Sequence, residues 1–312
     1  MPPVEFTAFV SKDFDAYLEN KWKSRVFNRE RLEVREKLLA LGRRIAPSVV
    51  AADGSPLEYE VSVEHPALWN HHEVQNQHLF FSRNKEARKE IDGIISKNRT
   101  MAALIDDPSP LRNHIFLSLM IDLGRIELAL KVHSDAAVDR DNLQRKCQDF
   151  FQREKLLHLI QNLSEHHTVG IMGQSDYPAR TLDDDTLQSL VNALPSADSW
   201  LSIGRSYSRE DPAVLDLTFA DVARDDLRQL LPLLHFISWG RDNDSLAMRA
   251  TLKLKEVKQK SRGLAKNDRV RVVKGVFSGK TGKIQDVDAK GALKVLLGSM
   301  LVKLMGDDVV KM

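Results

Sequence analysis

At 312 residues, 42% hydrophobic and 29% charged, the chain has the composition of a globular protein long enough for one large domain and an appendage. Its one cysteine, Cys147, excludes an internal disulfide, and no apolar run reaches the length of a bilayer span. The net charge of +2 conceals a division: residues 251 to 312 hold fifteen Lys and Arg against six Asp and Glu, net +9, while the preceding 250 hold 31 against 38, net −7. Met1 to Val10 lack the charged-then-apolar layout of a secretion signal, so the expectation is a cytoplasmic protein with no membrane partner.

In chain order, Ser11 or Asp13 can cap a short opening helix carrying Phe14, Tyr17 and Leu18. Arg29 to Ile45 repeats apolar residues at helical spacing and stops before Pro47. Leu57 to Val63 sets Leu57, Tyr59, Val61 and Val63 against Glu58, Glu60 and Ser62, the alternation of a strand, and Gln77 to Arg83 predicts a second. Ile115 to Asp122 and Arg125 to His133, joined at Leu123-Gly124, predict a hairpin with Ile126, Leu128, Leu130 and Val132 on one face. Ala137 to Leu163 predicts one long helix, with Cys147 inside it as a reduced, structural thiol. There follow a strand near Val169 to Met172, a helix from Thr186 to Leu194 capped within Asp183-Asp184-Asp185, a strand near Trp200 to Gly204 and a helix over Ala220 to Ser238. Hairpin strands not regularly separated by crossover helices indicate an α+β class, with a large N-terminal mixed domain over residues 1 to 250.

The C-terminal fifth has a different grammar. Lys253, Lys255, Lys258, Lys260, Arg262 and Lys266 form a basic run with Glu256 as its only acid, read as a linker over 251 to 262 or the end of a helix. From residue 263 a small all-β barrel is expected. Val270, Val272 and Val273 alternate with Arg269, Arg271 and Lys274, and Gly275, Gly279 and Gly282 supply turns around Phe277. Lys283 to Val287, Leu293 to Leu297 and Met300 to Leu304 continue as strands, with a turn at Asp288 to Gly291. Gly275 to Thr281 is not a phosphate loop, because three residues separate its glycines where four are needed and a strand follows in place of a helix.

Asn267 to Ile284 resembles the KOW core of NusG-like transcription factors and of some ribosomal proteins, departing from it at Val276, where proline is common. The resemblance implies an SH3-like barrel and a partner among RNA, the ribosome and RNA polymerase, or another protein. Residues 4 to 240 are similar to the YktB-like family of bacterial proteins through Phe6-Thr7-Ala8-Phe9, Asp13-Phe14, Leu41-Gly42, Ile45-Ala46-Pro47, Phe81-Ser82-Arg83-Asn84-Lys85, Ile203 to Arg209 and Leu230-Leu231-Pro232-Leu233. That similarity implies a compact α+β fold and carries no activity with it.

Candidate binding residues follow from charge. Arg269, Arg271, Lys274, Lys280 and Lys283, with Phe277 and the linker residues Lys258, Lys260 and Arg262, could contact phosphates or a partner. In the large domain, Trp69, Phe80, Ser82, Arg83, Asn84, Lys85 and Arg205 could form a cleft for an anionic ligand, unless Arg83 and Lys85 pair with the domain's own carboxylates. His65, His71, His72 and His78, with Glu73, have no closed metal-ligand spacing. Glu127 and Lys131 stand four apart, not at the carboxylate-x-lysine spacing of a two-carboxylate nuclease whose other acids would come from Glu58, Glu60 and Asp122. Ser164-Glu165-His166-His167 reads as a helix end. No cofactor motif and no metal site is expected. The sequence favours a binding protein that docks through its basic barrel; the alternative is an enzyme acting on an anionic or nucleotide-like ligand, recruited by that barrel.

Overall fold

The computed structural model describes residues 5–67, 70–95, 110–246, 263–288 and 291–312. Trp69, Lys258, Lys260 and Arg262 lie outside them, as does the whole of the expected linker, 251–262. The chain divides into two compact units, Met1–Asn243 and Asp244–Met312. Seven α-helices and two antiparallel sheets among the described residues make the α+β class plain.

The N-terminal unit begins with α1 (Ser11–Asp15) and α2 (Asn28–Ile45). Val34, Leu38, Leu41 and Ile45 recur on one face of α2 and are buried, and the helix gives way to a 3-10 turn containing Pro47, as the sequence requires. Next come β1 (Glu58–Val61), β2 (Gln77–Ser82) and α3 (Lys85–Ile95), the last not anticipated by the sequence reading. The expected hairpin is present as β3 (Phe116–Ile121) and β4 (Arg125–His133). The long helix is not: it is broken into α4 (Ala137–Cys147) and α5 (Phe150–Gln161). Asp149 causes the break, taking an extended ψ of 125° while its carboxylate accepts from the Gln152 N–H at 2.9 Å, so the second helix starts afresh from its own cap.

The remaining elements are β5 (Thr168–Ile171), β6 (Ser175–Pro178), α6 (Asp184–Ala193), β7 (Trp200–Ser208) and α7 (Phe219–Ile237). Asp183 caps α6 as expected, whereas β7 runs four residues beyond Gly204. The strands form one sheet in the order β1-β2-β3-β4-β7-β5-β6. Its helix-covered face carries Leu79, Phe81, Leu117, Leu128, Leu130, Ile203 and Val169 into a core shared with α2 and α7. Side chains on the opposite face of β3 and β4, among them Phe116, Ser118, Glu127, Lys131 and His133, are buried as well.

The unit closes on a clamp. Asn243 Nδ2 donates to the carbonyls of His235, Phe236 and Ser238 at 2.9, 3.0 and 2.6 Å, satisfying the exposed acceptors at the end of α7. Lys146 donates to Asn243 Oδ1 and, at 2.6 Å, to the Phe236 carbonyl. Burial, with a smaller contribution from the Lys155 charge, lowers the Lys146 pKa to about 8.

The C-terminal unit is a five-stranded antiparallel sheet of β8 (Arg269–Val272), β9 (Thr281–Val287), β10 (Leu293–Leu297), β11 (Met300–Leu304) and β12 (Val309–Lys311). The order is β11-β10-β9-β8-β12, so the chain meanders and its last strand returns beside the first. No pairing joins β11 to β12 among the described residues, and the sheet is not hydrogen-bonded into a closed cylinder. Its core comprises Leu264, Val270, Val272, Ile284, Leu293, Val295, Leu297 and Val309, with Phe277 packed against it from the edge.

Candidate functional site

In the C-terminal unit, β8 pairs with β9 so that Arg269 lies directly opposite Lys283 and Arg271 opposite Thr281. Val270, Val272 and Ile284 point into the core, which turns Arg269, Arg271 and Lys283 outward, and all three are exposed. The loop between these strands carries Lys274 and Lys280, also exposed, on either side of Val276, which is 97% exposed. Gly275 and Gly279, at φ of 80° and 87°, let the loop fold back so that Gly279 N–H reaches the Val272 carbonyl at 2.8 Å. Lys280 Nζ lies 5.7 Å from the Phe277 ring centre.

Three neighbouring carboxylates are engaged elsewhere. Asp268 pairs with Lys311 at 2.7 Å, Asp286 with Lys294 at 3.2 Å and Asp288 with Lys303 at 2.7 Å. Arg269, Arg271, Lys274, Lys280 and Lys283 have no carboxylate partner among the described residues. Two cations opposed across adjacent strands repel each other, which costs stability that an anion shared between them would recover. Sequence reasoning found these residues from their charge; the Arg269–Lys283 opposition depends on the register of β8 and β9.

Of the residues expected to form an anionic cleft, the described ones are distributed over the N-terminal unit and do not all meet in one site. Phe80 and Ser82 lie on the sheet face opposite the helical layer, Phe80 edge-on to Phe116 at 5.3 Å. Arg83 turns the other way and holds both oxygens of fully buried Asp139, at 3.1 and 2.7 Å. Asp139 also accepts from the backbone N–H groups of Ile115 and Trp239, so a complete set of donors meets its charge. Arg205, three strands away on β7, stacks on Tyr207 at 4.2 Å and stands 3.7 Å from Asp226. Arg83, Ser82 and Asn84 line a cavity of about 270 Å³, whereas Lys85 lines a neighbouring groove with Arg43, Glu58 and Arg88.

Other sequence candidates resolve into structural contacts. His78 shares a 3.0 Å hydrogen bond with Ser118 and stacks on Phe80, apart from exposed His71 and His72, both at positive φ. Among the described residues no group of three His, Cys, Asp or Glu is arranged to hold a metal. Glu58 and Glu60 both reach Arg88 on α3, at 2.8 and 3.5 Å. Glu127 and Lys131 form a buried ion pair at 3.1 Å, to which Ser202 adds a hydrogen bond at 3.3 Å. Ser164 bonds His167 Nδ1 at 2.7 Å within the turn leading into β5, and burial lowers the pKa of this imidazole. Burial pushes the Cys147 thiol up to about 12, the setting of an inert thiol. Among the described residues no helix is long and apolar enough to cross a membrane. No protein-family model matches the chain, and no curated protein matches it either.

Proposed function

We propose that the protein is a binding protein whose C-terminal unit docks on RNA, either free or as displayed on a ribosome. The observation that carries this reading is the opposed pair Arg269 and Lys283, joined by Arg271, Lys274 and Lys280 on a surface where Asp268, Asp286 and Asp288 are already paired with other lysines. Phosphates spaced along a polyanion would relieve that repulsion and release counterions. The likeness of Asn267 to Ile284 to a KOW core supports the same partner class. Phe277 is the one aromatic residue after Trp239, and it is half-buried against the core. Contact therefore falls mainly on the sugar-phosphate backbone, with little stacking on bases.

The test is fluorescence anisotropy of a labelled structured RNA titrated with the full chain over a series of salt concentrations. Replacing Arg269, Arg271 and Lys283 with Gln is expected to weaken binding and to flatten the log–log salt dependence by about 2–3 units, whereas Lys294→Gln and Lys303→Gln, which remove ion-paired lysines, change it little. Equal affinity and slope for the triple variant would overturn the proposal. Binding by the intact protein to RNA polymerase but not to RNA or ribosomes would overturn it too.

A further inference from the structure

The register of the C-terminal sheet decides what lies on either side of its cations. On the outer face of β8, Arg269 and Arg271 stand two residues, or about 6.6 Å, apart, with Lys283 of β9 opposite the first. Beyond β8 comes the loop that holds Lys274 and Lys280. To one side, β12 sets Val310 opposite Arg271, and Met312 follows opposite Arg269, whose carbonyl accepts the Met312 N–H at 3.0 Å. To the other, Lys283 faces Leu296 of β10, and Leu296 faces Leu301 of β11. Val310, Met312 and Leu301 are 54%, 65% and 59% exposed. The cations therefore form a track two strands wide that runs along β8 and β9 to their loop, fenced on both sides by exposed aliphatic side chains.

Past Leu296 the outward lysines are Lys294 and Lys303, each paired with an aspartate. A second row of phosphates lying parallel to the first would thus meet aliphatic carbon or ion pairs that are already formed. The track suits one row.

A single strand and a double helix both offer such a row, and they differ in what else they need. A flexible single strand gains much of its affinity by laying its bases on aromatic faces. The fences carry no aromatic residue, and Phe277, the one aromatic side chain of the unit, is half-buried against the core. A double helix needs no such platform. Its bases are already stacked on each other, its backbone is held in one shape, and each neutralised phosphate releases about 0.9 counterion against about 0.7 from a single strand.

We propose that the track binds one phosphate strand of double-helical RNA, independently of base sequence. This rests on the reading of the C-terminal unit as an RNA-docking module and narrows it to paired RNA. Sequence goes unread because phosphates carry none, and the aliphatic fences hold no donor or acceptor for a base edge.

The probes are a CA-repeat RNA strand, the duplex it forms with its complement, and a second duplex of unrelated sequence and equal length, each labelled with fluorescein. Anisotropy is followed over a series of salt concentrations with the full chain and with a variant in which Arg269, Arg271, Lys274, Lys280 and Lys283 are replaced by Gln, all of them exposed positions outside the core. The replacement is expected to flatten the log–log salt dependence by about 4.5 units on the duplexes, five contacts at about 0.9 each, and by about 3.5 on the single strand, at about 0.7 each. At low salt the intact chain is expected to favour the duplex over the strand at least about tenfold, with the two duplexes alike within about threefold. A smaller preference for the duplex, or a larger difference between the two sequences, overturns the inference and leaves RNA docking in place; this comparison decides alone if the melting curve shows that the Gln variant does not fold. Binding of none of the three, or binding unaltered in a folded Gln variant, overturns the docking reading and this inference with it.

Discussion

His78 has the largest consequence for the response to acid. Part of the residue's surface remains accessible, but its imidazole is enclosed, and its bond to fully buried Ser118 places it among the strands. Burial, with a smaller contribution from the Lys131 charge, lowers its pKa to about 3. The unfolded chain would hold that proton below about pH 6.5, so between these values the unfolded state binds more protons than the folded one. Stability is therefore complete above about pH 6.5 and is lost as the pH falls toward 3, by up to about 1.4 kcal/mol per pH unit for this group. His114 and His167 are lowered in the same direction, chiefly by burial, and steepen the decline. Urea denaturation between pH 7 and pH 5 should show the midpoint falling, with a shallower slope for His78→Gln, whose amide can keep the bond to Ser118. An unaltered slope in that variant would show that His78 does not carry the effect. Little of this was legible in the sequence. His78 stood out there as one member of a histidine-rich loop, and its partner lies forty residues further on; Arg83 could be read as a binding cation because Asp139 is fifty-six residues away.

Local sequence signals account for some elements and not for others. The β3–β4 hairpin follows from alternation around Leu123-Gly124, and α6 from Asp183 ahead of its first turn, whose carboxylate bonds the Thr186 N–H at 2.7 Å. The division between α4 and α5 is not legible in the sequence because Phe150 and Phe151 continue an apolar helical pattern, yet in the structure they are 58% and 75% exposed and Asp149 acts as a cap. β6 and β12, of four and three residues, are too short to show a period and exist through pairing with β5 and β8. Gly204 shows how closely the central strands approach: a Cβ there would lie 2.2 Å from the Leu128 carbonyl oxygen and 2.6 Å from the Ala129 Cβ. Both atoms belong to the β4 side of the pairing and cannot swing away. Gly204→Ala is expected to cost about 3 kcal/mol in chemical denaturation, against a much smaller loss for Gly54→Ala, where the space is open but φ is +80°. Similar losses at the two positions would mean that β4 and β7 part easily.

At the scale of the whole molecule, the two units have separate cores with no residue in common, and each closes its own sheet. Removing everything after residue 262 is accordingly expected to leave a soluble protein that retains the cooperative transition of the N-terminal unit at an unchanged midpoint. A truncated chain without a cooperative transition would show that the units depend on each other for folding. The clamp at Asn243 bears on what passes between them along the chain. Because its amide grips the last carbonyls of α7 and is itself gripped by Lys146, a pull on the chain from residue 244 onward meets a knot of four hydrogen bonds before it reaches the helix. So long as those bonds hold, fraying that begins at the C-terminal edge of the unit stops at Asn243 and leaves the final turn of α7 wound.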